Sequence, residues 1–475
     1  MPGWRGEQGA SGFFHLPTRV GALRVRMSRH FVPITSRPAI IMLKRHLLHF
    51  IAIIALPLAA SAAEKSDSIT LAEALARTLR GSPELAANDW EIRMAEARVL
   101  QAGLRPNPEL SIDIENPTGS GPYKSGDLME NTLTLSQLIE LSGKRPARIQ
   151  AAQTGRAVVE WEYQVKRVEV LKAATLAFID VLSAQRRLEL ADEIVKVSEE
   201  AVKLTEQRVG VGKVSAVELI RANVAVSTAR IEVEQARRGM ATARGNLAAQ
   251  WGAKEADFGA VSGDLDHHKG APSLSDLRQR LLGNPDLARW TAEREKRAAV
   301  LAKEQTLAKP DISLRVGPRM EGRAEDATFV AGFSVPLPFY NRNQGNLAEA
   351  RASLAKLEEE KRGAEARAFA SLNEAWQKLS GALREITILE ESVIPGAKDA
   401  EKQLTDGYAA GRFTQFEVLD ARRTLNAARG QQVRALADYQ KARAELDALT
   451  ARPTELPRLP IAKPLPTKPA PMKRK

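Results

Sequence analysis

The chain of 475 residues is 27% charged and 44% hydrophobic, a globular composition that excludes a disordered polymer and accommodates one large domain or three ordinary ones. It contains no cysteine, which excludes a disulfide scaffold, a thiolate metal site, a cysteine nucleophile and S-acyl membrane attachment. The formal charge of +12 sits at the ends: residues 1–63 carry net +7 and residues 452–475 net +6, so the body is near neutrality and offers no basic footprint for nucleic acid.

Residues 1–63 read as a leader. Lys44-Arg45-His46 precedes an apolar run from Leu47 to Leu58 and the small-residue stretch Ala59 to Ala63, the three parts of a secretory signal peptide. The run is too short to span a membrane, and cleavage is expected to leave Ala63 or Glu64 first. Met42 is then the expected start. The Arg-rich stretch before it, which also reads as an organelle transit peptide, is attributed to a mis-assigned upstream start. No later apolar run reaches about 18 residues, so the alternatives are a periplasmic, secreted or outer-membrane β-barrel protein, without inner-membrane spans.

The body repeats itself at a spacing of about 200 residues. Gly81-Ser82-Pro83-Glu84-Leu85 returns as Gly283-Asn284-Pro285-Asp286-Leu287, and Pro108-Glu109-Leu110-Ser111-Ile112 as Pro310-Asp311-Ile312-Ser313-Leu314. Gly212-Lys213-Val214-Ser215 through Leu219 returns as Gly411-Arg412-Phe413-Thr414 through Val418. The division expected is a first repeat at 64–262, a connector at 263–273, a second repeat at 274–451, and a disordered Pro/Lys-rich tail at 452–475. Each repeat reads as helix, two short strands, one very long helix, a Gly-marked turn and a return helix.

Strict alternation predicts strands at about 108–116 and 130–138, then at about 310–317 and 327–336. Leu110, Ile112 and Ile114 alternate with Ser111, Asp113 and Glu115, and the other three runs follow suit. Gly-rich loops between them make two hairpins. No proline occurs from Ala147 to Ala271, and Leu372, Trp376, Leu379, Leu383 and Ile386 step 4, 3, 4, 3, so the rest is coiled-coil-like helix. A helix from about Arg148 to Arg208 would be roughly 90 Å long, far beyond a bilayer, and has to stand in water. Pro395 should interrupt and kink its counterpart. Four strands cannot close a transmembrane barrel, whose smallest bacterial form has about eight. Two chains would give eight strands and three would give twelve; a hollow wide enough to conduct favours three, although symmetry leaves both open.

Paired hairpins, long helices, duplication and Gly-x-x-Ser/Thr-x-x-Glu turns resemble the TolC-type outer-membrane efflux proteins across residues 70–450. Asn107-Pro108-Glu109-Leu110, Glu115-Asn116, Gln137 through Arg145 (QLIELSGKR) and Val335 through Gly345 (VPLPFYNRNQG) are similar to that family's cobalt–zinc–cadmium resistance branch. The resemblance implies a mainly α fold with a small β part: a homotrimer whose twelve strands form a pore in outer-membrane lipid and whose helices form a periplasmic α-barrel. It implies a passive exit duct, most readily for divalent metal cations, served by a periplasmic adaptor and a proton-driven resistance-nodulation-division pump. Drug efflux through the same architecture is the alternative, followed by a non-conducting adaptor or scaffold.

Candidate sites cluster at the Gly-marked turns. Val209, Gly210, Gly212, Lys213 and Ser215 in the first, and Gly411, Arg412 and Thr414 in the second, read as glycine C-caps followed by hydroxyl N-caps. The resemblance adds a role as adaptor-contact tips. Glu417 and Asp420 by themselves read as a solvated helix face. The resemblance makes them carboxylates ringing a closed tunnel mouth, with Tyr408 and Glu218 tying the closed helices together; Arg221 stands where the second repeat has Asp420. His267-His268, beside Asp264 and Asp266, reads as a solvated linker more readily than as a metal site. Lys144-Arg145 reads as a charge cluster at the barrel rim, since no phosphate-loop pattern precedes it. No nucleophile–base constellation, cofactor motif or fixed metal-ligand set emerges.

Overall fold

The computed structural model of the protein describes residues 68–124, 128–322 and 326–452. The leader, and all but the first residue of the tail, lie outside them. The first repeat runs β1 (Ser68–Thr70), α1 (Leu71–Gly81), α2 (Pro83–Ala102), β2 (Glu109–Glu115), β3 (Glu130–Ile139), α3 (Lys144–Gly210) and α4 (Ala216–Ala249). The short strand β4 (Ala260–Ser262) closes the first repeat, and the second runs α5 (Leu274–Leu281), α6 (Pro285–Leu307), β5 (Ile312–Glu321), β6 (Asp326–Ser334), α7 (Gln344–Ile388), a π-helical turn (Leu389–Val393), α8 (Ile394–Ala409) and α9 (Gln415–Leu449). The repeated Gly-Ser/Asn-Pro motif is a helix start. Ser82 accepts from the Leu85 amide and Asn284 from the Asp286 amide, and a proline follows each cap where no N–H is needed.

The two predicted hairpins merge into one antiparallel sheet of order β2-β3-β5-β6, because β3 pairs with β5. Register aligns the apolar positions of all four strands in rows: Leu110, Leu135, Val316 and Ala331 form one, and Leu314 with Phe333 and Ile139 with Ile312 form the next two. Most of that face is exposed, Phe329 and Phe333 most of all. Apart from Leu138 and Val330, polar residues and glycines occupy the other face, where Arg319 pairs with Glu130 at 2.9 Å and donates to the Thr132 hydroxyl. An exposed apolar face opposite a polar one is the reverse of a soluble sheet and is the pattern of a membrane barrel wall. Pro318 lies in inner strand β5 and has no N–H to give; the ladder to β3 is broken there while that to β6 continues.

Helices enter and leave the sheet at one end. A 67-residue α3 extends for about 100 Å and forms the spine. It packs on α2 and α6 near the sheet and on α4 and α9 farther away, while α7 and α8 lie beyond α6 and α9. There are two cores, one within the first repeat and one built from the second repeat with Ile179 of α3. Ile69, Phe178, Val181, Leu247, Phe258 and Val261 fill one, and Leu277, Leu281, Leu372, Leu379, Ile386, Leu436 and Tyr439 the other. The heptad seam is thus real: Leu372, Leu379 and Ile386 are fully buried, and Trp376 and Leu383 pack against them.

Three features refine the sequence reading. Pro395 follows a five-residue π turn whose flanking residues keep right-handed helical torsions. Widening the helix by one residue relieves the clash between the proline ring and the preceding turn, so the interruption is a π turn within a continuing helix. Lys144 is buried and pairs with Asp311 of the other repeat at 2.8 Å, and Arg145 donates to the Gly103 carbonyl, so the rim cluster is an internal clamp. The connector is strapped down: Tyr439 exchanges two hydrogen bonds with the Lys269 backbone, and Gln440 donates to the carbonyls of Leu265 and His267. His268 sits 3.8 Å from Glu390 of the π turn. No group of three or more metal-ligating side chains occurs among the described residues.

Candidate functional site

The two helical turns farthest from the sheet have the same construction. In the first, the Lys213 amide donates to the Arg208 carbonyl and the Gly212 amide to that of Val209; in the second, Arg412 donates to Gly407 and Gly411 to Tyr408. These paired bonds form a Schellman end, which needs a left-handed residue after the helix. Gly212 at φ +69° and Gly411 at φ +75° supply it. Val209 and Gly210 form the last turn of α3, and Lys213, Ser215, Arg412 and Thr414 stand exposed on the loops.

Their return helices begin differently. Thr414 and Glu417 complete a reciprocal capping box: the Glu417 amide donates to the Thr414 hydroxyl, and the Thr414 amide donates to the Glu417 carboxylate at 2.7 Å. The Thr414 amide and hydroxyl together hold the Glu417 carboxyl below the usual carboxylate range. Ser215 caps α4 through the Val217 amide, and the Glu218 side chain is instead turned inward, with Oε2 buried and unbonded within the chain. The four residues assigned to the gate therefore separate within one chain. Glu417 is committed to its own helix start, Asp420 is exposed one turn on, Glu218 is half-buried, and Tyr408 is buried at the end of α8.

Tyr408 leads to a residue that the sequence reading missed. The Arg208 guanidinium lies 4.1 Å from the Tyr408 ring and donates to the carbonyls of Tyr408 and Ala409 at 3.0 and 3.2 Å. One cation thus terminates two helices: it sits in the last turn of α3 and satisfies the orphan carbonyls of α8. The only signal in the sequence was an arginine where the second repeat has Gly407. It joins the two turns that the duplication keeps about 200 residues apart.

A sheet with one lipid-compatible face, a spine of about 100 Å and two matched tips form a long helical structure with the pattern of a membrane wall at one end. Comparison with known proteins agrees. The description "Outer membrane efflux protein" matches residues 74–253 and 277–452. The chain belongs to this outer membrane efflux protein family. It is 30% identical over 389 residues to the cobalt-zinc-cadmium resistance protein CzcC of Cupriavidus metallidurans, covering 82% of this chain and 91% of the relative. It is 23% identical to the nickel-cobalt-cadmium resistance protein NccC of Alcaligenes xylosoxydans xylosoxydans, over 62% and 70% of the two chains. The crystal structure of the Campylobacter jejuni CmeC outer membrane channel superposes with a TM-score of 0.67 at 15% identity, over 80% of this chain and 85% of that one. As an outer membrane efflux protein the chain is a channel, mainly helical with a small β part, and its relatives are heavy-metal resistance proteins.

Proposed function

We propose that the protein is the passive exit duct of a tripartite resistance-nodulation-division efflux system for divalent heavy-metal cations, seated in the outer membrane and reaching into the periplasm. The observation that carries this reading is the set of open flanks on a single chain. Strands β2 and β6 are free edges of the sheet, and α4 carries Val217, Ile220, Val224 and Ile231 at helical spacing, each more than half exposed. A free edge and an unpartnered apolar stripe require covering. Head-to-tail closure of three chains joins β6 to the next β2, completes twelve strands and brings α8 to the next α4. The cargo reading rests on CzcC and NccC, named for resistance to cobalt, zinc and cadmium and to nickel, cobalt and cadmium.

The tips Val209 to Ser215 and Gly411 to Thr414 are the surface that meets the periplasmic adaptor, with the pump in the inner membrane beneath. Asp420 and Glu417 line the mouth, and Tyr408, Glu218 and Arg208 hold it closed. A non-conducting scaffold has no use for a two-faced sheet. Deletion of the gene should sensitise cells to zinc, cobalt or cadmium while leaving drug tolerance unchanged, and the protein should fractionate as an outer-membrane trimer. Sensitisation to drugs alone would move the cargo to another class, and a soluble monomer would end the duct reading.

A further inference from the structure

The segment Val335 to Arg342, one of the sequence motifs singled out above, has no part in the duct just described. It leaves β6 at the helical end of the sheet and carries Leu337, Phe339 and Tyr340 at 66%, 73% and 93% exposure. Its hydrogen bonds are local: the Phe339 amide donates to the Leu337 carbonyl, and Gln344 donates to that of Tyr340. Asn343, at φ +60°, then fastens the chain to α6 through the backbone and side chain of Glu304. The matching segment of the first repeat is tied differently, since the Leu141 amide donates to Asp311 and Lys144 pairs with the same carboxylate. One junction is tied to the other repeat, and the other holds three large side chains farther out into the surroundings.

Those side chains continue the lipid-facing band. Every odd position from Ala327 through Phe339 is apolar, and the strand accounts for only the first four. Within the sheet the apolar rows run from the Asn131–Met320 pair to the Ile139–Ile312 pair. Eight residue steps at about 3.4 Å, on strands tilted by about 40°, give roughly 21 Å along the membrane normal, short of the band of about 25 Å that a barrel wall needs. Leu337 supplies apolar surface at the short end. Phe339 and Tyr340 come next, followed by Asn341 and Arg342, the order of an interfacial girdle passing from acyl chains to headgroups. Pro336 and Pro338 limit the backbone conformations and so lower the entropic cost of holding these rings out.

We propose that Leu337, Phe339 and Tyr340 form a membrane-interface anchor, inserted at the acyl–headgroup boundary of the periplasmic leaflet and setting the depth of the barrel. The proposal rests on the outer-membrane seating argued above, and its test separates the two. Because the chain has no cysteine, Phe339→Cys, Tyr340→Cys, Phe333→Cys and Lys213→Cys each give a single nitroxide site. In vesicles of phosphatidylethanolamine and phosphatidylglycerol, collision with lipid-soluble oxygen is compared with collision with a water-soluble nickel chelate. The oxygen-to-nickel ratio at 339 and 340 should exceed that at tip residue 213 several-fold and approach that at 333. Two results overturn the anchor: a ratio at 339 and 340 equal to that at 213, or low collision with both reagents, which means a neighbouring chain covers the segment. A water-like ratio at 333 rejects the membrane seating itself and the anchor with it. Tyr340→Trp in vesicles containing brominated phosphatidylcholine gives a second readout, in which quenching well above that of the parent protein supports insertion and parent-level quenching counts against it.

Discussion

Lys144 and Asp311 belong to different repeats and meet where the sheet joins the helices, with 7% and 19% of their side chains exposed. Removing one partner leaves a charge with little water around it, which costs about 3–5 kcal/mol, whereas replacing both by apolar groups costs far less. Asp311→Ala should therefore destabilise the protein much more than Lys144→Met combined with Asp311→Leu. Thermal unfolding of the two variants checks this, and equal losses would show the pair to be screened by solvent. Glu417 gives a pH dependence whose direction is fixed by its partners. Its folded-state pKa lies below the usual carboxylate value, so the capping box contributes fully above the unfolded pKa and is lost as pH falls through the lowered one. Amide exchange at Gly411 to Glu417 should accelerate on acidification through that range in the parent. It should be fast and nearly pH-independent, after correction for intrinsic rates, in Glu417→Gln. At the turn itself, Gly411→Val places a β-branched residue at φ +75°, a strain of about 1–2 kcal/mol confined to the tip. Metal resistance should fall sharply while trimers still reach the membrane; full resistance would remove the tips from the adaptor interface.

Among the elements, α4 bears the most direct test of assembly. Val217, Ile220, Val224 and Ile231 fall on one stripe, each more than half exposed, and burying a Val or Ile side chain contributes roughly 1.5–3 kcal/mol. Replacing Val224 and Ile231 by Glu should convert the proposed trimer to monomers on native gels or in light scattering without loss of helix content, and persistent trimers would place the seam elsewhere. This stripe was legible in the sequence only as part of a long helix, because a seam formed between chains has the same periodicity as one formed within a chain. The four strands were legible because alternation over seven to ten residues cannot be mistaken for a 3.6-residue period, as Leu110, Ile112 and Ile114 show. Strands β1 and β4 were not, since three residues are too few to show any period, and they pair in parallel across nearly the whole first repeat. The same limit applies at the tips. Gly212 and Gly411 announced their turns, but nothing local ties Arg208 to Tyr408, a contact between residues 200 apart made by the way the duplication folds back on itself. The Pro395 clash was foreseeable, whereas its relief through a π turn depends on Leu389 and Ile394 both reaching the second core.

At the scale of the whole molecule, the proposed function requires a duct that closes at its tips and still passes cations, and the tip geometry makes Asp420 the residue to examine. Glu417 has its carboxylate turned back on Thr414, whereas Asp420 is exposed and uses only its backbone carbonyl, as acceptor for Thr424. In a threefold assembly whose α9 helices converge at the mouth, three Asp420 carboxylates face a narrow space. Their repulsion is relieved by a bound cation, and most strongly by a trivalent one. Three carboxylates around a trivalent ion make nine unit-charge attractions of about 1 kcal/mol each at 4 Å in water, of which screening and ion hydration leave only a part. A net of about 3 kcal/mol corresponds to roughly a hundredfold in blocking concentration. In planar bilayers, Asp420→Ala should therefore weaken block by a trivalent cation about a hundredfold and reduce cation preference, with barrel assembly intact. Glu417→Gln should change block only modestly, through loss of the α9 cap. Glu358→Ala with Glu359→Ala should change neither property, because those carboxylates are exposed on α7 and face Arg294 and Arg362 of their own chain. If Asp420→Ala conducts and blocks like the parent while Glu417→Gln does not, the capping box opens in the assembled mouth and the carboxylate it releases is the gate.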